Sequence, residues 1–191
     1  MEIFETCHDI NSHFDLGQDA DGREKLIRLL DYHKQKDLTY SPLVNHLIRQ
    51  AGLYPYLNLD TAHWSDRVAH QAFKSNIGAG AHATLHREQS AILKKLLNGD
   101  SLAISAPTSF GKSFIVDAFI ALKNPKNVVI IVPTIALTDE TRRRLHQKFS
   151  KDYKIITTSD VDLSERNIFI FPQERVFSYV GNTPIIRGLD K

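Results

Sequence analysis

Eight residues in the middle of the chain, Ala106-Pro107-Thr108-Ser109-Phe110-Gly111-Lys112-Ser113, have the types and order needed to hold a polyphosphate. An apolar stretch, Leu102–Ser105, precedes them, and a stretch of helical character, Phe114–Leu122, follows. In such a strand–loop–helix arrangement, backbone N–H groups and the positive end of the helix bind phosphate oxygens. We call Ala106–Ser113 the phosphate loop and predict that it binds a nucleotide.

Single positions in the phosphate loop predict specific roles. Gly111 leaves room for a phosphate and allows an unusual backbone conformation. Lys112 has the length to reach the β- and γ-phosphates, and the Ser113 hydroxyl is a ligand for Mg²⁺. Ala106 stands where the general pattern has its first glycine, and its methyl group is a small change. We therefore expect ATP and Mg²⁺ as cofactors, with Lys112 and Ser113 as the catalytic pair.

Composition sets wide limits on the function. The 191 residues suffice for one ordinary domain with an appendage. Residues 1–80 carry 8 Lys and Arg against 11 Asp and Glu, whereas residues 81–191 carry 16 against 11. The positive half contains the phosphate loop, which agrees with binding of a polyanion. The single cysteine excludes an internal disulfide, and no secretory signal or membrane-length apolar run is visible, so we expect a cytoplasmic protein without a membrane partner.

The first part of the chain has helical periodicity. Apolar spacing predicts a helix over Arg23–Lys36, Ser41-Pro42 is a typical start of a second that ends at Gly52, and a third is expected over Thr61–Lys74. The small, uncharged stretch Ile77–Ala81 is interpreted as a flexible joint. We therefore predict a helical region over residues 1–80 and a second domain over residues 81–191.

The second part alternates between helical and strand patterns. Further helices are predicted over Arg87–Leu97, Ala136–Phe149 and the residues after Pro172, and strands over Leu102–Ser105, Val128–Val132, Tyr153–Thr157 and Asn167–Phe171. The continuous apolar run Val128–Val132 is typical of a strand buried on both faces. This alternation predicts an α/β fold with a parallel sheet.

Three further features accompany the phosphate loop. Gln89 stands on the helix ahead of it, and its amide offers a donor and an acceptor for the edge of adenine. Pro133-Thr134-Ile135-Ala136-Leu137 follows one predicted strand, and Pro172-Gln173-Glu174-Arg175 follows another. Ligands of parallel sheets bind outside the carboxyl ends of the strands, so we expect these features at one edge.

Together these motifs resemble the first RecA-like domain of superfamily 2 helicases, the DEAD/DEAH-box and Ski-type branches in particular. The phosphate loop resembles the A-P-T-x-x-G-K-[ST] form of motif I, and Gln89 resembles the glutamine that the family has upstream of it. Motif Ia is similar to Pro133, Thr134 and Leu137. A T-P-E-R-like element, with an inserted glutamine, is similar to Pro172–Arg175. The resemblance covers about residues 85–180. It implies an incomplete RecA-like P-loop domain in which residues 106–113 and Gln89 bind ATP. It also implies that Pro133, Thr134, Leu137, Glu174 and Arg175 contact the backbone of a DNA or RNA strand.

One element of that family has no counterpart in the sequence. Motif II, D-E-x-[DH], follows an apolar strand and holds Mg²⁺, whereas Asp139-Glu140 follows motif Ia inside a predicted helix. The expectation is an N-terminal piece of a longer ATP-dependent helicase that hydrolyses ATP poorly by itself.

Other interpretations stay open at this point. Residues 1–80 could dock a partner protein, such as a nuclease in a defence complex, which would make the chain a regulatory module. A P-loop ATPase that moves no nucleic acid is a further alternative. The run Arg142-Arg143-Arg144 could grip phosphates or form a solvated helix face.

Overall fold

The computed structural model describes residues 2–158 and 162–180, and its backbone contacts divide into two compact units. The first unit comprises residues up to Ser75 together with His82–Ile115, and the second comprises Asn76–Ala81 and the residues from Val116 onward. Residues 181–191, the end of the predicted second domain, lie outside the described residues. The predicted domains, 1–80 and 81–191, remain a prediction.

The first unit begins with four α-helices, which confirms the helical character predicted for this region. They are α1 (Ile3–Asp15), α2 (Asp19–Gln35), α3 (Pro42–Gln50) and α4 (Trp64–Ala72), with a short 3-10 turn at Tyr54–Tyr56. The Ser41 side chain accepts a hydrogen bond from the Val44 N–H at 3.3 Å, and Pro42 occupies the first turn, as the start signal predicted. A buried core joins α1, α2 and α3 and includes Cys7, Ile10, Leu26, Leu29, Leu47 and Ile48.

A two-stranded hairpin, β1 (Lys74–Asn76) and β2 (His82–Thr84), surrounds the predicted joint. The residues of the predicted joint form a hydrogen-bonded turn, in which the Ile77 N–H donates to the Ala81 carbonyl and the Ala81 N–H to the Gly78 carbonyl, both at 2.9 Å. Gly78 has a φ of +95°, and a Cβ there would lie 2.7 Å from the Phe149 ring. Both conditions require glycine.

Helix α5 (Arg87–Leu97) confirms its prediction, and α6 (Lys112–Lys123) follows the phosphate loop. The strand predicted over Leu102–Ser105 is wrong: these residues form no strand, and Leu102 and Ile104 are partly exposed. A strand forms only where its backbone is hydrogen-bonded to a neighbouring strand. An apolar composition by itself does not provide that partner strand.

The second unit is built on a parallel sheet of three strands in the order β3-β5-β4, which confirms the α/β class. The strands are β3 (Asn127–Val132), β4 (Lys154–Ile156) and β5 (Asn167–Pro172), and α7 (Ile135–Phe149) and α8 (Gln173–Val180) complete the unit. Val132 of β3 is in register with Pro172 of β5, so both strands end at one edge.

The two apolar strands β3 and β5 differ in burial. Every residue of the central strand β5 is buried. On β3, Val129 is 42 % exposed and Ile131 56 % exposed, so the prediction that Val128–Val132 is buried on both faces is wrong. In the described sheet β3 is an edge strand, and α8 packs against Ile156, Phe169 and Phe171 on the face that Val129 and Ile131 share.

A buried carboxylate links α6 to α7. Asp117 is 1 % exposed and forms ion pairs with Arg144 and, at 2.7 Å, with Lys148. Arg142 and Arg143 instead pair with the partly exposed Asp139 on their own helix. Arg144 therefore joins two helices, whereas Arg142 and Arg143 belong to a solvated helix face.

Candidate functional site: the phosphate loop and the sheet edge

The phosphate loop consists of a turn, a left-handed glycine and the start of a helix. Residues Thr108–Phe110 form a 3-10 turn in which the Phe110 N–H donates to the Pro107 carbonyl at 3.1 Å. Gly111 follows with φ +74°, and α6 begins at Lys112. The eight residues are neither buried nor helical throughout. This is the backbone form that directs successive N–H groups towards one concavity.

Close neighbours leave no space for a side chain at Gly111. A Cβ at this position would lie 2.8 Å from Nε2 of Gln89 and 3.1 Å from the Phe114 ring. Because its φ also lies in the left-handed region, two independent constraints select glycine here.

The two residues predicted to act on phosphate and metal begin α6 and are exposed. The Lys112 ammonium group donates to the carbonyl oxygens of Ala106 at 2.7 Å and Pro107 at 2.9 Å. Its side chain thus folds back onto the backbone of the loop, and its contact with phosphate remains a prediction. The Ser113 hydroxyl stands one residue further along the first turn. These residue types and positions fit a Mg²⁺–nucleotide.

Gln89 ties α5 to the phosphate loop. Its side chain is 4 % exposed; Oε1 accepts from the His86 N–H at 2.8 Å, and Nε2 donates to the Phe110 carbonyl at 2.6 Å. The first bond caps α5, and the second fixes the residue before Gly111. Recognition of adenine by Gln89 remains a prediction; the observed contact is with the loop itself.

A cavity of about 350 Å³ lies beside Gln89 and Phe114, large enough for a planar base. Its other lining residues are Pro55, His70, Ala83, Thr84, Leu85 and His86. Burial lowers the pKa of His70, and Lys74 lowers it further. Burial likewise lowers the pKa of His86, with Arg23 adding to the effect and Glu88 opposing it. Both imidazoles are therefore biased towards the neutral form, which suits contact with an uncharged ring.

Two arginines join the helical region to α5, and the sequence analysis missed both. Arg87 donates to the Arg49 carbonyl at 3.2 Å and the Gln50 carbonyl at 2.9 Å, at the end of α3. Arg23 donates to the Ala51 carbonyl and pairs with Glu88. Carbonyls at a helix end lack helical partners, so these guanidinium groups satisfy them. The signal available in the sequence was the pair of basic and acidic residues directly before Gln89.

The structure brings the five predicted strand-contacting residues to one edge of the sheet in the second unit. Thr134 caps α7 by accepting from the Leu137 N–H at 3.2 Å, and Pro133 links it to the end of β3. Glu174 and Arg175 lie in the first turn of α8, which begins where β5 ends. Since Val132 and Pro172 are in register, the two helix starts are neighbours. We call these five residues the sheet-edge cluster; their contact with nucleic acid remains a prediction.

A small cavity of about 170 Å³ within this edge adds residues that sequence reasoning missed. Arg175 lines it together with Ile135, Thr138, Asp139, Arg142, Thr157, Thr158 and Pro172. Thr157 and Thr158 directly follow β4, and their position after a parallel strand was the signal that could have identified them. Hydroxyl and guanidinium donors beside a helix start are groups that bind phosphate oxygens.

None of the helices among residues 2–158 and 162–180 combines the length and the apolar character that crossing a bilayer requires.

Comparison with known proteins gives two family matches and one relative. Residues 86–183 match the model of the DEAD/DEAH box helicase family, and residues 1–67 match that of the anti-bacteriophage protein B N-terminal domain. The chain is 34 % identical over 158 residues to anti-bacteriophage protein B of Escherichia coli (strain K12), an alignment that covers 81 % of this chain and 21 % of that protein. The chain thus spans about one fifth of the length of this relative. The helicase match covers about half of the chain and includes the phosphate loop, Gln89 and the sheet-edge cluster, and the chain belongs to the DEAD/DEAH box helicase family.

Proposed function

We propose that the chain is the N-terminal part of an ATP-dependent nucleic-acid helicase or translocase, and that its phosphate loop binds Mg²⁺–ATP. The observation that supports this most directly is the combination of left-handed Gly111 with Lys112 folded onto the loop backbone. On nucleotide binding, Lys112 exchanges its two carbonyl partners for the β- and γ-phosphates. Ser113 supplies a hydroxyl ligand to Mg²⁺, and loop N–H groups at residues 108–113 bind the remaining oxygens.

The cavity beside Gln89 and Phe114 is our candidate for the adenine ring. It has the volume for a base and two imidazoles with lowered pKa values on its wall. Gln89 can take part in two ways: its amide can read the base, as the family resemblance implies, or it can hold the loop in place through Phe110. Its burial and its bond to the Phe110 carbonyl favour the second role.

The sheet-edge cluster is our candidate for contact with one nucleic-acid strand. The exposed starts of α7 and α8, Thr134 and Arg175 offer donors to backbone phosphates. Such contacts suit a motor that acts on many sequences. We infer that the strand is DNA or RNA. We also infer that the contacts between the strand and the sheet-edge cluster change as ATP binds and is hydrolysed.

ATP turnover by these 191 residues is expected to be slow. Within residues 2–158 and 162–180, the acidic pair Asp139-Glu140 lies inside α7 and Asp139 is paired with arginines, so it does not supply a carboxylate at a strand end. A metal-binding carboxylate and an arginine from a second domain supply much of the catalysis of phosphoryl transfer.

The test of nucleotide binding uses Lys112→Ala and, as matched control, Lys95→Ala on the exposed face of α5. Titration with a fluorescent ATP analogue in the presence of Mg²⁺ should show at least about tenfold weaker binding for Lys112→Ala, about 1.4 kcal/mol, and unchanged binding for the control. Thermal unfolding establishes that both variants are folded. Equal affinity of folded Lys112→Ala and wild type would count against the proposal.

Stimulation of ATP hydrolysis separates a nucleic-acid motor from an ATPase that moves no nucleic acid. We expect single-stranded DNA or RNA to raise the ATPase rate of the full-length protein, and Arg175→Ala to weaken this stimulation while the unstimulated rate stays the same. An ATPase rate that is the same with and without both nucleic acids would favour the alternative.

A role in defence against bacteriophages is a second proposal, and it rests on the similarity to anti-bacteriophage protein B and its N-terminal domain. In this role the helical region could also dock a partner protein; Trp64 is 77 % exposed on α4 and is a candidate contact. Cells that carry the full-length gene should plate phage less efficiently than cells that carry Lys112→Ala. Equal plating with both genes would contradict an ATP-dependent defence role, and loss of defence in Trp64→Ala with ATPase retained would support docking.

A further inference from the structure

The start of α5 carries three consecutive side chains that bond in different directions. Arg87 donates to backbone carbonyls at the end of α3, and Glu88 pairs with Arg23 of α2. Gln89 instead donates to the Phe110 carbonyl in the phosphate loop. Successive residues of an α-helix point about 100° apart. Bonds from all three side chains therefore fix both the position of this helix end and its rotation about the helix axis.

Arg87 attaches the first residue of α5 to the end of α3. Its guanidinium group donates to the Arg49 carbonyl at 3.2 Å and to the Gln50 carbonyl at 2.9 Å, and its own backbone N–H donates to the Gly52 carbonyl at 3.0 Å. Gly52 has a φ of +73°, and a Cβ there would lie 2.7 Å from Cβ of Arg87. The two backbones thus approach closely, with three hydrogen bonds between them.

Arg23 connects α2 to both of these elements. Its Nε and Nη2 atoms donate to the Ala51 carbonyl at 3.0 and 2.7 Å, and Nη2 also pairs with Glu88. Carbonyls at the end of a helix lack partners within that helix, so Arg23 satisfies one that is left over by α3. Arg28 of α2, by contrast, pairs with Glu24 one turn earlier on its own helix.

Gln89 transmits the position of α5 to the phosphate loop. Its Oε1 is held at the helix start by the His86 N–H, at 2.8 Å, and its Nε2 reaches the Phe110 carbonyl at 2.6 Å. The same Nε2 lies 2.8 Å from where a Cβ of Gly111 would be. A displacement of about 0.5 Å is enough to misplace a binding group. A loose helix start would therefore displace the loop as well.

These bonds cross from one family match to the other. Arg23 and the end of α3 lie within residues 1–67, whereas Arg87, Glu88, Gln89 and the phosphate loop lie within residues 86–183. The side chains of Arg23 and Glu88 are 30 % and 39 % exposed, and ion pairs with such exposure contribute little stability. What the pair provides is a fixed geometry between α2 and α5.

We propose that the helical region controls nucleotide affinity by holding the start of α5, with Arg23 and Arg87 as positioning residues that act through Gln89. This inference rests on the function proposed for the phosphate loop. It adds a regulatory role for the region before the helicase match. Anything that moves α2 or the end of α3 changes the nucleotide affinity of the loop, and nucleotide binding in turn favours the attached state of α5.

The test titrates the full-length protein with a fluorescent, non-hydrolysable ATP analogue in the presence of Mg²⁺. Arg23→Met and Arg87→Met remove the donors and keep the apolar stems, and each should weaken binding about fivefold. The matched controls are Arg28→Met and Arg67→Met, because these arginines bond within their own segments. Both controls should bind as wild type does. Thermal unfolding checks that every variant is folded.

A double-mutant cycle separates positioning from direct contact with the nucleotide. If Arg23 acts through Gln89, the double variant with Arg23→Met and Gln89→Glu should bind about tenfold more weakly than wild type, as Gln89→Glu alone does, whereas independent losses would multiply to about fiftyfold. Arg23→Lys keeps one cationic donor and should recover part of the affinity. Should Arg23→Met fail to fold, Glu88→Ala removes the same ion pair and takes its place in the cycle.

Three results would overturn the proposal. They are wild-type affinity in the folded Arg23 and Arg87 variants, equal losses in the matched controls, and losses that multiply in the cycle. Lys112→Ala in the same titration reports on the loop itself. If Lys112→Ala weakens binding and the arginine variants do not, the function of the loop stands and this inference alone fails. If wild type does not bind the analogue, both fail.

Discussion

The phosphate loop and the sheet-edge cluster are held in place in different ways. In the first unit, side chains bond to the backbone of the loop itself: Gln89 to the Phe110 carbonyl, and Lys112 to the carbonyls of Ala106 and Pro107. In the second unit, strand register and helix caps set the positions, with Val132 opposite Pro172 and Thr134 capping α7. A loop held by a few side chains is sensitive to single substitutions, whereas an edge set by a sheet depends on the packing beneath it.

The largest effect is expected at the buried carboxylate that joins α6 to α7. Asp117→Ala removes the shared partner of Arg144 and Lys148 and should lower the free energy of unfolding by about 3 to 5 kcal/mol. Chemical denaturation measures this. Asp139→Ala is the matched control, because the partly exposed Asp139 also pairs with two arginines, and the denaturation midpoint of this variant should hardly move. Equal loss in both variants would mean that burial of Asp117 is unimportant.

The next effect concerns the loop glycine. Gly111→Ala places a methyl group 2.8 Å from Gln89 and forces a left-handed alanine, so the affinity for the ATP analogue should fall about 100-fold, or about 2.7 kcal/mol. Gly99→Ala introduces the same kind of backbone strain at φ +95° with no atom within 4 Å. The control should lose a little stability and no nucleotide affinity. Weak nucleotide binding in both variants would indicate strain in general and not the contact with Gln89.

A smaller effect is expected at Gln89. Gln89→Glu keeps the oxygen that accepts from the His86 N–H but loses the amide hydrogens that bind the Phe110 carbonyl. Nucleotide affinity should fall about tenfold, or about 1.4 kcal/mol. Because the contact holds the loop, analogues of ATP and GTP should lose the same factor. A loss confined to the ATP analogue would show instead that Gln89 reads adenine.

The smallest effect is expected at the helix cap of the sheet edge. Thr134→Val removes the oxygen that accepts from the Leu137 N–H and should cost about 1 kcal/mol of stability in chemical denaturation. Thr134→Ser keeps the oxygen and should behave as wild type. If Thr134→Val is as stable as wild type, the cap contributes nothing and the register of β3 and β5 alone positions α7.

The sequence predicted those elements whose signals are local. Ser41-Pro42 identified the start of α3, and spacing identified α5 to the residue. The parallel pairing of β3, β4 and β5 followed from the alternation of helices and strands. Capping, periodicity and connection length are properties of neighbouring residues and can be read directly.

The errors concern strand partners and surroundings. Leu102–Ser105 and Val128–Val132 are both apolar, yet the first forms no strand and the second is an edge strand with Val129 and Ile131 exposed. The apolar composition of a segment does not identify the strand that pairs with it. The roles of Arg23, Arg87 and Arg144 were equally hidden, because each binds a group at least 27 positions away.

The lone cysteine offers a practical handle on the helical core. Cys7 is buried between α1 and its neighbours, and burial raises the pKa of its thiol, so the native protein presents little thiolate to alkylating reagents. A cysteine introduced on the surface can therefore carry a dye or spin label without first removing Cys7. Conversely, the rate at which Cys7 is modified reports how often the helical core opens, so local unfolding can be measured without any mutation.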